Sequence, residues 1–229
     1  MTVTLPILHS HYHTFRHGVH PKDFKEYTHH LPIQQMTFGE LFIIPLSQHI
    51  GAPAKSLVKQ GDRVFRGQKI AEPGGFVSVA HHSPVTGKVV DIDFFDHPGG
   101  GKVESILIEA DPLSDQRFKP LPPLPWEDME VRELLQQIQH AGLVGLGGAA
   151  FPTHVKLSIP KGKVCRYLLL NGCECEPFLT SDHRLMSEYP EKVLLGAKVI
   201  KKIVGAEKVF VGVEANKPDA IVKMQEKAK

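Results

Sequence analysis

The stretch that decides the fold is VCRYLLLNGCECEPFLTSDHRLM, residues 164–186, in which an apolar run leads into a polar loop and a helix-like segment. The run at 164–170 predicts a buried strand, and 208–213 predicts another. Between them, Pro190 near a helix start and Gly205 at its stop predict a helix, and Pro218 begins one more. Strand, helix, strand and helix in succession predict an α/β fold with a parallel sheet. With two predicted strands, that sheet is incomplete.

Residues 36–119 have a different pattern, with short apolar pieces separated by turns at glycine and proline. Such spacing predicts a small β sandwich or barrel. The order GDRVFRGQKI followed by SPVTGKV resembles the lipoyl/biotinyl-type barrel-sandwich hybrid. Carriers of that type hold a lysine on the hairpin that here reads Glu72-Pro73-Gly74-Gly75, so we interpret this module as structural. The predicted domains are an arm at 1–35, this module at 36–119, a proline-rich linker at 120–127 and an incomplete α/β domain at 128–229.

Residues 142–157, GLVGLGGAAFPTHVKL, form what we call the glycine loop. The spacing of Gly145, Gly147 and Ala150 formally matches the dinucleotide pattern, but a helix is predicted before the loop where the fingerprint needs a strand. We therefore reject an ordinary Rossmann site. Small residues still let backbone N–H groups approach an anion or a flat ring. With Lys156 nearby and Thr153 as a possible helix cap, spacing leaves a phosphate site and a plain turn equally open.

Residues 171–180 follow the first strand of the α/β region and are called the acidic loop. Ligands of open α/β sheets bind at the carboxyl ends of strands, where Asn171 lies. Glu174 and Glu176 are two residues apart, so in an extended loop both carboxylates would face one side. There they could accept hydrogen bonds from a bound ring or ribose. Asp182, which opens the next helix, is interpreted as a cap.

Metal binding is the weaker interpretation at two places. Cysteines number only three in the chain, Cys165, Cys173 and Cys175, too few for a closed zinc site or cluster. The alternate histidines of HSHYHTFRHGVH, residues 9–20, could hold a transition metal on one strand face. A solvated arm is the more frequent outcome for such a stretch, and the pair at 81–82 is interpreted as a strand-turn surface.

Composition bounds the remaining classes. The 229 residues carry 27 Lys+Arg and 25 Asp+Glu, a net charge of +2 that gives no support to nucleic-acid binding. No segment approaches the roughly 20 apolar residues of a spanning helix. The amino terminus lacks the pattern of a secretory signal, and the few cysteines indicate a reduced, cytoplasmic protein. Membrane association would come through partner subunits.

Four motifs together resemble one family. Residues 145–157 and 171–186 closely resemble the RnfC subunit of the Rnf-type ion-translocating electron transport complex, as do FRHGVHPKDFKEYTHHLPIQ at 15–34 and EANKPDAI at 214–221. The resemblance runs in order along essentially the whole chain and concerns the amino-terminal portion of the family. More distantly, the first two motifs resemble the FMN-binding subunit of respiratory NADH dehydrogenase. The implied fold is a barrel-sandwich hybrid domain followed by a partial Rossmann-like flavin-binding domain.

The resemblance also implies roles for individual residues. Lys156 would meet the FMN phosphate, and Asn171 and Glu174 would contact the flavin. Glu176 would lie near the nicotinamide of NAD(H), and Glu214 would face the same cavity. The residues implied along the nucleotide are Gly145, Gly147, Gly148, Ala149 and Phe151. The dehydrogenase has arginine in place of Leu146 and aspartate in place of Cys173, which weakens the transfer of those two contacts.

The implied function is electron transfer from NADH through FMN to iron–sulfur centres, in a complex on the inner membrane that couples ferredoxin and NAD to ion pumping. The family's 4Fe-4S clusters belong to a carboxyl-terminal region absent from these residues, and ferredoxin would be reached only indirectly. We therefore expect the nucleotide-binding half of the subunit, inactive as an enzyme by itself. The alternative is a non-catalytic docking module of the same kind of complex.

Overall fold

The computed structural model describes residues 17, 19 and 21–228, which form two compact units. The first to be considered, the β unit, comprises residues 36–160. The other, the α/β unit, joins the described residues up to Gln35 to those from Lys161 onwards. This grouping places the glycine loop with the β module, whereas the predicted domain limits at 35, 119 and 127 stay a prediction.

The β unit contains two antiparallel sheets. One has the strand order β1-β7-β6-β3 and the other the order β2-β4-β5. Val64, Ile70 and Ile106 are fully buried among the core side chains that the strands contribute. The strands are β1 (Leu41–Pro45), β2 (Lys55–Ser56), β3 (Arg63–Val64), β4 (Lys69–Glu72), β5 (His81–His82), β6 (Gly87–Asp96) and β7 (Lys102–Ala110).

Two helices complete the β unit, α1 (Val131–His140) and α2 (Thr153–Leu157). Helix α1 begins with a capping box and is followed by Gly142 at φ 75°, the left-handed conformation predicted for its end. A Cβ on Gly142 would lie 2.6 Å from the carbonyl oxygen of Ala80, so only glycine fits that approach.

Side-chain amide and imidazole groups hold both helices on the segment between β4 and β5. The amide of Gln139 donates to the carbonyl oxygens of Gly75 at 3.1 Å and Ser78 at 3.0 Å. The His154 Nε2 atom lies 2.7 Å from the carbonyl oxygen of Phe76. These contacts explain why the β unit extends to residue 160.

The α/β unit contains a parallel pair of strands, as predicted. Its core includes Met186, Ala220 and Met224, contributed by two of its helices. The side chains of His183 and Ser187 link α3 to α5 through the carboxylate of Asp219. The elements are a 3-10 helix (Lys25–Tyr27), β8 (Tyr167–Gly172), α3 (Ser181–Glu188), α4 (Pro190–Val204), β9 (Lys208–Val213) and α5 (Pro218–Ala228).

Several local predictions were wrong. The first strand of the α/β unit begins at Tyr167 instead of 164, and it is not buried throughout, because Leu169 is 74% exposed. Neither predicted cap is one, since Pro152 precedes α2 and Thr180 precedes α3. His81 is buried rather than part of a surface. The alternate histidines at 9–20 lie outside the described residues, apart from His17.

Among the residues that the structure describes, no helix has the length and apolar character needed to cross a membrane. The described side chains likewise include no group of three or more histidine, cysteine or acidic residues arranged to hold a metal ion.

Candidate functional site

The glycine loop projects from a short backbone closure at its base. Val144 and Pro152 form an antiparallel bridge, and the Gly145 N–H donates to the carbonyl oxygen of Phe151 at 2.9 Å. The residues between these closures turn through left-handed conformations at Gly148, φ 104°, and Ala150, φ 45°. Six predicted site residues are thereby gathered in one loop of the β unit: Gly145, Gly147, Gly148, Ala149, Phe151 and Lys156.

The space beside this loop is open. A Cβ built on Gly147 or Gly148 would meet no atom within 4 Å. A Cβ on Gly145 would lie 3.4 Å from the Nζ atom of Lys156, so the ammonium group stands against the loop backbone. An open glycine backbone with an adjacent ammonium suits an anionic group such as a phosphate. Leu146, where the dehydrogenase has arginine, is 95% exposed.

The acidic loop begins where β8 ends, and the predicted site residues of the α/β unit lie there. Asn171 pairs with Gly212 in the parallel ladder, and its side-chain oxygen accepts a hydrogen bond from the Cys173 N–H at 3.0 Å. Glu214 follows the end of β9, the neighbouring strand. The thiol of Cys175 is hydrogen-bonded to the Glu214 carboxylate, which connects the two strand ends.

Glu174 and Glu176 have different environments, contrary to the extended-loop prediction. Glu174 is 3% exposed, and its carboxylate accepts hydrogen bonds from the Ser181 hydroxyl at 3.1 Å and the Asp182 N–H at 2.8 Å. It therefore caps α3, the role that the sequence assigned to Asp182. Glu176 is exposed. The reason is that free N–H groups at a helix start attract a carboxylate more strongly than water does.

Two buried lysines, which sequence reasoning missed, lie among these carboxylates. Lys217 is 0% exposed, and its ammonium donates to the carboxylate of Glu214 and, at 3.0 Å, to the side-chain oxygen of Asn216. Lys25, 7% exposed, lies 4.0 Å from the Glu174 carboxylate. Lys217 belongs to the motif at 214–221, but Lys25 is about 150 residues away in sequence, where no local pattern indicates a partner.

Charge and burial shift several pKa values in this region. Burial alone would raise the pKa of Glu214, but the hydrogen bond and charge of Lys217 outweigh burial and hold that pKa below its ordinary value. The hydrogen bond to Glu214 raises the pKa of the Cys175 thiol, which keeps the thiol protonated near neutral pH. Burial, with Glu174 nearby, raises the pKa of Asp182. Glu214 is therefore the carboxylate most firmly held in its charged form.

Two domain families match the chain. Residues 13–112 match the RnfC Barrel sandwich hybrid domain, and residues 138–229 match the Nuo51 FMN-binding domain. Fold and matches together define the class: a barrel-sandwich hybrid domain followed by an FMN-binding domain, which confirms the predicted fold class.

Similar proteins come from bacteria with different coupling ions in their names. The RnfC subunit of the Na(+)-translocating ferredoxin:NAD(+) oxidoreductase complex of Acetobacterium woodii is 50% identical over 91% of this chain and 47% of its own length. Its counterpart in the proton-translocating complex of Clostridium ljungdahlii is 46% identical, over 93% and 46%. The counterpart in the ion-translocating oxidoreductase complex of Rhodobacter capsulatus is 39% identical, over 92% and 41%.

These relatives identify the family as that of the RnfC subunits of Rnf-type ion-translocating electron transport complexes, so the resemblance predicted from the motifs is confirmed. The chain spans less than half the length of the three relatives that it matches.

Proposed function

We propose that the chain binds FMN and NAD(H) as part of a membrane-associated, ion-translocating ferredoxin:NAD oxidoreductase complex. In this proposal, electrons pass between NADH and iron–sulfur centres through FMN. The 4Fe-4S clusters lie in parts of the protein beyond these residues, and other subunits hold the chain peripherally at the inner membrane. Support comes from the matched FMN-binding domain and from the related subunits.

The observation that carries the proposal is the position of the Lys156 ammonium against Gly145, beside the open backbone at Gly147 and Gly148. A lysine acts as a point charge for a phosphate, and glycines without Cβ atoms let a flat ring approach the backbone. Ala149 and Phe151 belong to the same loop and would lie along the nucleotide. FMN, when bound, supplies hydride acceptance and single-electron transfer, while the protein binds and orients it.

The acidic loop has a complementary part in the proposal. Asn171 and the exposed Glu176 offer oxygen atoms to the flavin and the nicotinamide. Glu214, kept charged by Lys217, offers a further acceptor at the end of β9. Glu174 contributes to the flavin site by fixing the loop, because its carboxylate is occupied at the start of α3.

A titration of the 229-residue chain with FMN, followed by quenching of flavin fluorescence, tests this function. The Lys156→Ala variant should bind FMN about tenfold or more weakly, since a hydrogen bond to a charged group contributes roughly 1.5–3 kcal/mol. Riboflavin lacks the phosphate, so its affinity should be the same for both proteins. Lys119→Ala, which removes another exposed lysine of the β unit, is the matched control. Equal loss of FMN and riboflavin binding in Lys156→Ala would refute the phosphate contact.

A docking role is the second candidate, and one observation favours it. Strand β1 lies at the end of its four-stranded sheet and exposes Leu41 by 59% and Ile43 by 47%. An edge strand with exposed apolar side chains suits pairing with another protein of the complex. A folded chain that binds neither FMN nor riboflavin would favour this role over the flavin site.

A further inference from the structure

The segment at 21–35, which we call the brace, is packed along the acidic loop although about 150 residues separate them in sequence. At its centre, Lys25 donates from Nζ to the carbonyl oxygens of Glu176 at 3.0 Å and Leu179 at 2.6 Å. The same ammonium lies 4.0 Å from the carboxylate of Glu174. Lys25 thus contacts the loop at three of its residues.

Burying an ammonium group is costly unless it is paired and hydrogen-bonded. Lys25 is 93% buried, since only 7% of it is exposed, and the acidic loop supplies both hydrogen-bond acceptors and the opposite charge. The two carbonyl oxygens must keep their positions for this cation to stay satisfied. The lysine therefore fixes the backbone of the loop and not merely one of its side chains.

Backbone and aromatic contacts reinforce this arrangement at Phe178. Its N–H donates to the carbonyl oxygen of Asp23 at 2.8 Å, and its ring stacks on that of Phe24 with 4.8 Å between centroids. Both phenylalanines have positive φ, 51° for Phe24 and 69° for Phe178. Such conformations are costly for bulky residues and persist only where surrounding contacts impose them.

The brace also holds the start and the end of α3. The Thr180 hydroxyl donates to the Thr28 hydroxyl at 2.9 Å, and Thr28 donates in turn to the carbonyl oxygen of Phe178 at 3.2 Å. Further along, the Arg184 guanidinium donates to the carbonyl oxygen of His29 at 2.9 Å, and the Ile33 N–H donates to Glu188. The contacts extend from the loop through the whole first helix after it.

We propose that the brace is a working part of the nucleotide site and that Lys25 is a positioning residue, which sets the conformation in which the acidic loop meets the flavin ring. The inference rests on the proposed function. It assigns a role to the amino-terminal motif, whose residues are otherwise remote from both loops in sequence. Lys25 itself is buried and acts through the loop.

The experiment compares Lys25→Met with Lys25→Arg and with the control Lys22→Met in the 229-residue chain. Methionine keeps the apolar bulk of lysine but removes its charge and donors, arginine keeps both, and Lys22 is an exposed residue of the same segment. Two quantities are measured: hydrogen–deuterium exchange of the amides at 173–180, and the dissociation constants for FMN and riboflavin.

We expect faster exchange at 173–180 in Lys25→Met, with exchange in α4, α5 and β9 unchanged. Because the acidic loop would contact the ring and not the phosphate, FMN and riboflavin should weaken by the same factor, about tenfold. Lys25→Arg should recover much of both losses, and Lys22→Met should behave as the wild type. The equal loss separates Lys25 from Lys156, whose removal affects FMN alone.

Unchanged exchange at 173–180 in a folded Lys25→Met chain would overturn the inference, as would faster exchange with unaltered flavin affinity. If the wild-type chain binds neither flavin, the proposed function fails and the inference fails with it. If the wild type binds flavin and Lys25→Met binds equally well, the inference alone fails. Should Lys25→Met not fold, Thr28→Val replaces it, since valine has nearly the same shape and removes only the hydroxyl that bonds Phe178 and Thr180.

Discussion

The glycine loop and the acidic loop differ in what surrounds them. The glycine loop is held only at its base, and a side chain added at Gly147 would touch nothing within 4 Å. In the acidic loop, a Cβ added at Gly172 would lie 2.8 Å from the Sδ atom of Met186 and 2.9 Å from the carbonyl oxygen of Gly212. One loop leaves room for a ligand, and the other uses its room to fix its own groups. Glycine therefore serves opposite purposes in the two loops.

The largest effect is expected from Gly172→Ala. The added methyl group would overlap Met186 and a backbone oxygen that cannot move away, so we expect a loss of about 1–3 kcal/mol in the free energy of unfolding of the α/β unit. Chemical denaturation followed by far-UV circular dichroism measures this loss. Gly212→Ala is the matched control, because a Cβ there meets no atom within 4 Å. Equal stabilities of the two variants would contradict the described packing.

The second effect concerns the cap of α3. Glu174→Ala leaves the N–H of Asp182 and the hydroxyl of Ser181 without their acceptor, so we expect a loss of about 0.5–2 kcal/mol. Thermal unfolding of the chain, again by circular dichroism, gives the value. Glu176→Ala removes the exposed carboxylate of the same loop and should alter stability by less than about 0.5 kcal/mol. A cap on α3 supplied by Asp182 instead would reverse the order of the two variants.

Acid should affect the two units in different pH windows. Burial, with the neighbouring His49 and His82, lowers the pKa of His81 from 6.5 to about 4 in the folded β unit. The unfolded chain protonates this histidine near 6.5, so it binds more protons than the folded chain between pH 6.5 and 4. The β unit therefore loses stability as the pH falls through that window, by an amount on the order of 1 kcal/mol. Fluorescence of Trp126, the single tryptophan, follows this unit.

In the α/β unit the sign is the same but the window is lower. Lys217 holds the pKa of Glu214 below its ordinary 4.5 against the effect of burial, so the stability that this pair contributes is lost only as the pH falls below about 4.5. His81→Gln should flatten the response of Trp126 above pH 4.5 and leave the α/β unit unaltered. An unchanged pH response in that variant would exclude His81 as the source.

The smallest effect on stability is expected from Gly147→Ala. The position is open and its φ is not positive, so the free energy of unfolding should stay within about 0.5 kcal/mol of the wild-type value. FMN affinity should nevertheless fall, since the methyl group would occupy the space proposed for the nucleotide. Fluorescence titration together with denaturation measures both. A fall in stability as large as that of Gly172→Ala would remove the distinction between the two loops.

Local signals in the sequence predicted much of the fold. Pro190 and Gly205 bound α4, Pro218 begins α5, and residues 208–213 form β9 as predicted, because helix ends and apolar strands depend on neighbouring residues. The motifs also predicted the family and its two domains.

The contacts within the candidate site were less accessible to sequence reasoning. The burial of Glu174 depends on N–H groups seven to nine residues later, and that of Lys25 on carbonyl oxygens about 150 residues away. Proximity of this kind is created by folding, and no periodicity or spacing encodes it. The roles predicted for individual residues toward FMN and NAD(H) stay predictions until the titrations are made.

The bonds from Gln139 and His154 to the segment between β4 and β5 bear on how this architecture can be rearranged by recombination. The proline-rich stretch at 120–127 is the obvious junction in the covalent chain. A β module exchanged at that junction would arrive without the two helices that bond to its carbonyl groups at Gly75, Phe76 and Ser78. Gene fusion or exchange that preserves a folded module therefore has to carry residues through 160, so the glycine loop is inherited together with the β sheets.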